Sequence, residues 1–253
     1  MKTVFIGAGN VATRLSLAMK DAGFSVIQVF SRTEGNVRML GERLGCDFIT
    51  ETGLVDPGAD IYIFSVKDDI LQNIITKVPA NKGLWIHTAG SVPVDVFKGH
   101  AERYGVIYPM QTLSKYRETD FHKIPLLVEG NTGTSEKEIL NIAERLSENV
   151  RPVNSEKRKY LHLAAVFACN FSNHMYHIAT RILEEQGIDR HVLQPLIDET
   201  ANKLHAMHPG MAQTGPAIRY DLNTINRHLA LLNDPDTRDI YELISKNIKS
   251  VNI

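Results

Sequence analysis

Only two cysteines, Cys46 and Cys169, occur in 253 residues, and the formal net charge is −1 with histidine neutral. Two thiols are too few for a disulfide framework and form no zinc-type pair, which fits a reducing compartment while leaving a single bridge open. The near-zero charge supplies no basic field for nucleic acid or an anionic membrane surface. No apolar run reaches membrane-spanning length. Met1-Lys2 leads directly into a strand-like run and charge returns at Arg14, so no signal peptide is expected. Internal repeats and low-complexity linkers are also missing. What remains is ordinary globular composition, 43% hydrophobic and 23% charged, long enough for one large domain or two modest ones. A soluble, cytoplasmic protein that binds neither nucleic acid nor membrane is expected.

Against these absences the first dozen residues are rich in signal. Lys2-Thr3-Val4-Phe5-Ile6 has the β-branched and aromatic composition of a buried strand. It runs into Gly7-Ala8-Gly9-Asn10-Val11-Ala12, and Arg14 to Lys20 then reads as helix. Strand, glycine turn and helix are the context in which G-x-G-x-x-[G/A] points to a dinucleotide. Gly7 permits the tight turn, Gly9 lets backbone approach a pyrophosphate, and Ala12 lets helix and strand pack closely. The helix N-terminus offers unpaired N–H groups to the phosphates.

A further absence chooses between dinucleotides. The next strand, Ser25 to Phe30, ends without the Asp or Glu that takes a ribose 2′-hydroxyl in NAD-selective sites. Ser31-Arg32-Thr33 stands there, two hydroxyls and a planar guanidinium suited to a 2′-phosphate, so NADP is expected. The competing reading keeps Arg32 as a solvated loop charge and gives the ribose to Glu34.

Glu34 to Leu44 reads as a helix ended by Gly45, and Cys46 to Thr50 as a strand. Asp60 to Phe64 is a stronger strand, emptying into Ser65-Val66-Lys67, with Asp68 as the cap of a helix bearing Ile70, Leu71, Ile74 and Ile75. Leu84-Trp85-Ile86 empties into His87-Thr88-Ala89-Gly90-Ser91, small and polar as a nicotinamide neighbourhood would be, although plain loop chemistry looks similar. Gly105 to Tyr108, Pro125 to Val128 and Asn149 to Val153 complete the strands. Ser135 to Leu146 reads as a helix opened by a Ser135/Glu138 capping box. Alternating strands and helices imply an α/β fold with a mostly parallel sheet over residues 1–154.

From residue 155 to 253 no convincing strand follows. A long helix is expected from Glu156 to Gln186, roughly 45 Å at about 1.5 Å per residue. Its middle, Leu161 to Met175, is apolar nearly all round and should be buried on most sides. His162, Cys169, Asn170, Asn173 and His177 fall on one side of it and must find partners among cofactor and substrate, another subunit, or neighbouring backbone. Such a helix in a small all-α domain implies a homodimer through the C-terminal helices. His174/His177 and His205/His208 are each three apart, a spacing that places two ligands on one helical face, but no third ligand is near in sequence and no metal is expected.

With Gly7 to Ala12, Ser31 to Thr33 and Ser65 to Lys67 in view, the chain resembles the 6-phosphogluconate and β-hydroxyacid dehydrogenase superfamily. Within it the pattern is similar to pyrroline-5-carboxylate reductases and deazaflavin-dependent NADP reductases, with Asp68 in place of their proline. His87 to Ser91, Tyr108-Pro109-Met110-Gln111-Thr112, His162 to Asn170, Gly215 to Asp221 and His228-Leu229 resemble more closely a bacterial family. That family pairs a Rossmann-like NADP-oxidoreductase domain with a helical C-terminal domain of unknown function. The resemblance implies NADP held by Gly7, Ala8, Gly9, Asn10, Val11, Ser31, Arg32, Thr33, Ser65, Val66, Lys67, His87, Thr88 and Ala89. One departure matters: where the β-hydroxyacid dehydrogenases carry a lysine four residues before an asparagine, Val166 stands before Asn170. Reduction of an imine needs less of the protein than reduction of a ketone, which needs a proton donor within about 3 Å. His162 is the candidate donor, with Ser91 and Asn170 supporting. The expected function is reduction of a small carbonyl or imine compound; the alternative is a non-catalytic NADP(H)-binding sensor or partner protein.

Overall fold

The computed structural model describes residues 1–251. The apolar runs of the first half become β1 (Lys2–Ile6), β2 (Ser25–Phe30), β3 (Asp47–Ile49), β4 (Ile61–Phe64), β5 (Leu84–His87), β6 (Tyr104–Pro109), β7 (Leu126–Gly130) and β8 (Val150–Pro152). They form one sheet in the order β3-β2-β1-β4-β5-β6-β7-β8. Every pairing is parallel except β6 with β7. Strands buried on both faces need apolar residues at consecutive positions, and β4 is buried throughout. Alternate residues then feed two cores. Phe5, Ile61, Ile63 and Ile86 join one, while Val4, Ile6, Tyr62, Phe64 and Trp85 join the other.

Helices α1 (Asn10–Asp21), α2 (Glu34–Leu44), α3 (Asp68–Ile75) and α4 (Gly133–Glu144) connect the strands. The chain order reverses between β1 and β4, where an open sheet of this kind forms a crevice at its carboxyl edge. Two expected caps are different residues. Lys67, not Asp68, precedes α3, and Asp68 occupies its first turn, where the helix dipole favours a carboxylate. Thr132, not Ser135, caps α4 by accepting from the Ser135 N–H, and Glu138 instead pairs with Arg103 at 2.7 Å.

The single long helix of the sequence reading is three pieces. α5 (Ser155–Ala165) gives way to a π-helical segment, Val166–Phe171, and then α6 (Ser172–Glu184). Gly187, at φ +66°, ends the run. The expected burial of Leu161 to Met175 on most sides fails within one chain: no residue of the π segment or α6 is buried, and Leu163 is 53% exposed. The segment is apolar as its composition indicates, but among the described residues its burial stays partial. The sheet and its helices form one compact unit with α5 and the π segment up to Asn170, Met1–Asn170, and a second unit starts at Phe171, the last residue of that segment. The second unit contains α6, α7 (Gln194–Ala206, with Pro195 in its first turn), α8 (Pro209–Ala212), α9 (Leu222–Leu231) and α10 (Pro235–Val251). No described helix is long and apolar enough to cross a membrane.

Candidate active site

Five strand ends open into one cavity of about 1030 Å³, lined entirely by residues of the first unit. That volume is at the upper end for a small-molecule site and suits a ligand of nucleotide size. At the ends of β1 and β2 the wall is Gly7 to Val11, Ser31, Arg32, Thr33 and Asn36. Gly7 sits at φ +126°, and a Cβ there would lie 2.1 Å from the Ser65 carbonyl oxygen, so only glycine lets the β1 and β4 ends meet. A Cβ on Gly9 would meet no protein atom within 4 Å. Its bareness serves no packing contact; it leaves the cavity floor open. Gly9 caps α1 without any side-chain bond, and the first turn of α1 carries no acid, so its N–H groups are free to take an anion.

The hydroxyl–guanidinium set beside this turn is equally suited to phosphate. Ser31 Oγ accepts from the Thr33 N–H at 3.3 Å, and Arg32 is exposed and makes no ion pair among the described residues. Glu34, the alternative ribose ligand, pairs with Arg38 at 2.6 Å and does not line the cavity. The segment after β6 closes over this end: Arg14 Nε donates to Ser114 O at 2.8 Å, and Lys115 N–H donates to Asn10 Oδ1 at 3.1 Å.

The ends of β4, β5 and β6 present side chains instead. Thr88 Oγ1 donates to Ser65 Oγ at 3.1 Å within the wall. Tyr108 Oη and His162 Nδ1 lie 3.0 Å apart with the rings edge to face, both facing the cavity. A Cβ on Gly90 would fall 2.6 Å from His162 Nδ1, so glycine at that position admits the imidazole. Burial, then the negative charge of Asp68, push the Tyr108 hydroxyl above the usual tyrosine range, with Arg158 opposing. The phenol is therefore a neutral hydrogen-bonding group at physiological pH.

His162 is placed by a buried cation one helical turn earlier. Arg158, 1% exposed, ion-pairs with Glu129 and donates to the Val92 carbonyl at 2.6 Å. Ser155 Oγ donates to Glu129 at 2.7 Å and accepts from the Val94 N–H at 2.9 Å. This cluster fastens the start of α5 to β7 and to the segment after β5. Residues four apart share a helical face, so His162 follows Arg158 on the fastened side. His162, Ala165, Val166 and Cys169 line the cavity at helical spacing, and the π segment adds Ala168 and Asn170 to the wall. π segments frequently mark functional sites.

Most of the residues singled out from sequence converge here: Gly7, Ala8, Gly9, Asn10, Val11, Ser31, Arg32, Thr33, Ser65, Val66, Lys67, Thr88, Ala89, His162 and Asn170 all line the cavity. Two do not. His87 is fully buried behind the wall, its ring 5.6 Å from that of Phe97 and its Nδ1 accepting from the Ala89 N–H at 3.2 Å. Burial, and secondarily the charge of Arg158, pull it down to about 3, so the ring is neutral. Strand alternation explains the miss, since adjacent residues of β5 face opposite sides. Ser91 is exposed, outside the lining, and its hydroxyl is taken by Asp68. Asn173 and His177 also fall outside it, because the π segment ends the stripe projected from sequence. Sequence reasoning missed Asp68, Gly90 and Tyr108 as site residues. Tyr108 had a signal, the Tyr108 to Thr112 segment, but nothing marked its pairing with a residue 54 positions away. The His174 and His177 rings lie 6.1 Å apart, and no group of three His, Cys, Asp or Glu side chains suited to a metal occurs among the described residues.

Comparisons with known proteins find two family matches, the second of which crosses the boundary between the two compact units. Residues 2–86 match the family model described as NADP oxidoreductase, coenzyme F420-dependent, and residues 124–248 match a domain of unknown function, DUF2520. The crystal structure of a Bacteroides fragilis protein assigned as an NADP oxidoreductase is 46% identical, with a TM-score of 0.93 over 98% of each chain. A Thermotoga maritima protein is 21% identical with a TM-score of 0.79 over 99% of each chain. An imine reductase from Myxococcus stipitatus, solved with NADP+, is 16% identical with a TM-score of 0.67 over 100% of this chain and 93% of its own; these last two show the fold. No curated protein matches.

Proposed function

The chain belongs to the family of NADP oxidoreductases that carry this C-terminal domain of unknown function, and we propose that it reduces a small carbonyl or imine compound at the expense of NADPH. One observation carries the reading. A single cavity joins an anion-binding glycine turn and a free guanidinium to a tyrosine–histidine pair. Gly7 to Val11 with the α1 N-terminus would hold the pyrophosphate, Ser31, Arg32 and Thr33 the 2′-phosphate, and Ser65 to Lys67 with Thr88 and Ala89 the rest of the cofactor. When bound, NADPH supplies a hydride from its reduced nicotinamide ring. The protein's part is to orient the acceptor and deliver a proton. In the protonated imidazole, Nδ1–H donates to Tyr108 Oη and Nε2–H passes its proton to a substrate oxygen; the neutral ring left behind keeps its Nδ1–H on Tyr108 Oη. Asn170, on the cavity wall, is a hydrogen-bonding partner for the same substrate group. Ser91 supports this end through its bond to Asp68.

Val166, lining the cavity four residues before Asn170, favours a second reading, because the superfamily's lysine acid/base is missing there. On that reading the protein is a non-catalytic NADP(H)-binding sensor or partner. Fluorescence titration with NADPH, followed by NADPH oxidation across a carbonyl and imine panel, separates the two. Tight binding with turnover supports the reductase, and tight binding without turnover supports the sensor. If neither NADPH nor NADH binds, both readings fall.

The same proposal includes a homodimer. Of the 23 large hydrophobic residues exposed among the described residues, 18 follow residue 155, among them Leu163, Leu196, Leu204, Met211, Leu231 and Leu243. Among the described residues of the second unit only Ala217, Ile225 and Thr237 are buried. Apolar surface on that scale marks an interaction face, and a second copy of the same helices is the partner that matches it. A monomeric mass in solution at working concentration would contradict this. A cytoplasmic location belongs to the proposal too, supported by the two free thiols and the absence of a membrane-spanning helix among the described residues.

A further inference from the structure

The cavity is electrically lopsided. Its guanidinium, Arg32, lies at the end of β2, on the far side of β1 from the ends of β4, β5 and β6. Asp68, in the first turn of α3, faces the cavity at the opposite end, near Tyr108. One carboxylate oxygen accepts from Ser91, and the group makes no ion pair among the described residues. Lys67 lines the same wall without pairing to it, and His162 is held by Tyr108. Asp68 sits in the first turn of α3, and its negative charge helps raise the Tyr108 hydroxyl. A substrate carboxylate brought here would meet like charge, which costs affinity, whereas a cation would be drawn in.

We infer that the β4–β6 end of the cavity takes a substrate with a positively charged nitrogen at its reacting group, an iminium or amine-bearing compound, with Asp68 as its counter-charge and specificity determinant. The inference rests on the reductase reading and narrows its substrate class. A protonated imine accepts hydride at carbon while the C=N electron pair moves to nitrogen, so the charge that Asp68 recognises belongs to the reacting group itself.

The test uses the full chain with NADPH bound and three stable five-membered-ring probes read by calorimetry. These are pyrrolidine, cationic at neutral pH, cyclopentanone, uncharged, and cyclopentanecarboxylate, anionic. Pyrrolidine is expected to bind about tenfold more tightly than either of the others. Asp68→Asn should erase the preference and Asp68→Glu should keep most of it. No preference for the cation, a preference that survives Asp68→Asn, or no binding of any probe overturns the inference. NADPH affinity, measured by fluorescence on the same samples, reports separately on the cofactor reading. Bound NADPH with no cation preference removes only the substrate charge, whereas absent NADPH binding removes the reductase reading itself.

Discussion

At the β1–β2 end the cavity is walled mainly by backbone and small residues contiguous in sequence, Gly7 to Val11, with Arg32 beside them. At the β4–β6 end it is walled by side chains from four separate elements: Asp68 on α3, Thr88 after β5, Tyr108 on β6 and His162 on α5. The first kind of wall is specified by short-range chain geometry, above all by the backbone conformation of Gly7. The second depends on supports outside the cavity, the bare Cα of Gly90 and the buried Arg158, because a side chain is only as well placed as what packs behind it. Recognition of an anion needs the first kind; proton delivery needs the second.

Three substitutions strain that contrast. The largest effect is expected from His162→Ala, which should lower kcat on a carbonyl substrate, whose oxygen needs a proton, by about 10²–10⁴-fold while NADPH affinity, measured by fluorescence, stays nearly unchanged. Parallel losses in both would erase the distinction between the two ends. Arg32→Ala is expected to weaken NADPH by about tenfold and NADH hardly at all, as the proposed assignment of the guanidinium to the 2′-phosphate requires. Equal weakening of both cofactors would remove the phosphate role. The smallest effect concerns stability. The folded His87 ring titrates near 3 against an ordinary 6.5, so the unfolded chain takes up a proton first as pH falls. Stability present above about 6.5 is then lost toward about 3, with a slope of at most about 1.4 kcal/mol per pH unit. Urea midpoints measured across that interval should fall for the native protein and flatten for His87→Asn. A flat native profile would mean that the wall behind β5 carries no acid sensitivity.

How far the sequence is legible follows the same division. β1, β2 and α2 come out at the expected residues because parallel strands read as unbroken apolar runs, and Gly45, at φ +68°, ends α2 where glycine must. The glycine turn and Ser31-Arg32-Thr33 are legible because their chemistry is carried by neighbours in sequence. His87 and Ser91 lie outside the cavity lining; a strand end alone does not say which side chain faces the crevice. The Tyr108–His162 pair and the Arg158–Glu129 cluster join residues 54 and 29 positions apart, which no local pattern encodes. The π segment is invisible to a 100° projection, since that projection assumes the winding it sets out to find.

Arg158 also bears on the order in which the molecule assembles. Its bonds reach Glu129, 29 residues earlier, and Val92, 66 residues earlier. The glycine turn also has distant partners, β4 beside it and the segment after β6, which bonds Arg14 and Asn10 from 100 and 105 residues later. Contacts of large sequence separation close late, because the loop entropy must be met before they form. α5 therefore seats only after β7 and the segment following β5 are in place. Arg158→Met is accordingly expected to accelerate unfolding far more than it slows folding in stopped-flow experiments.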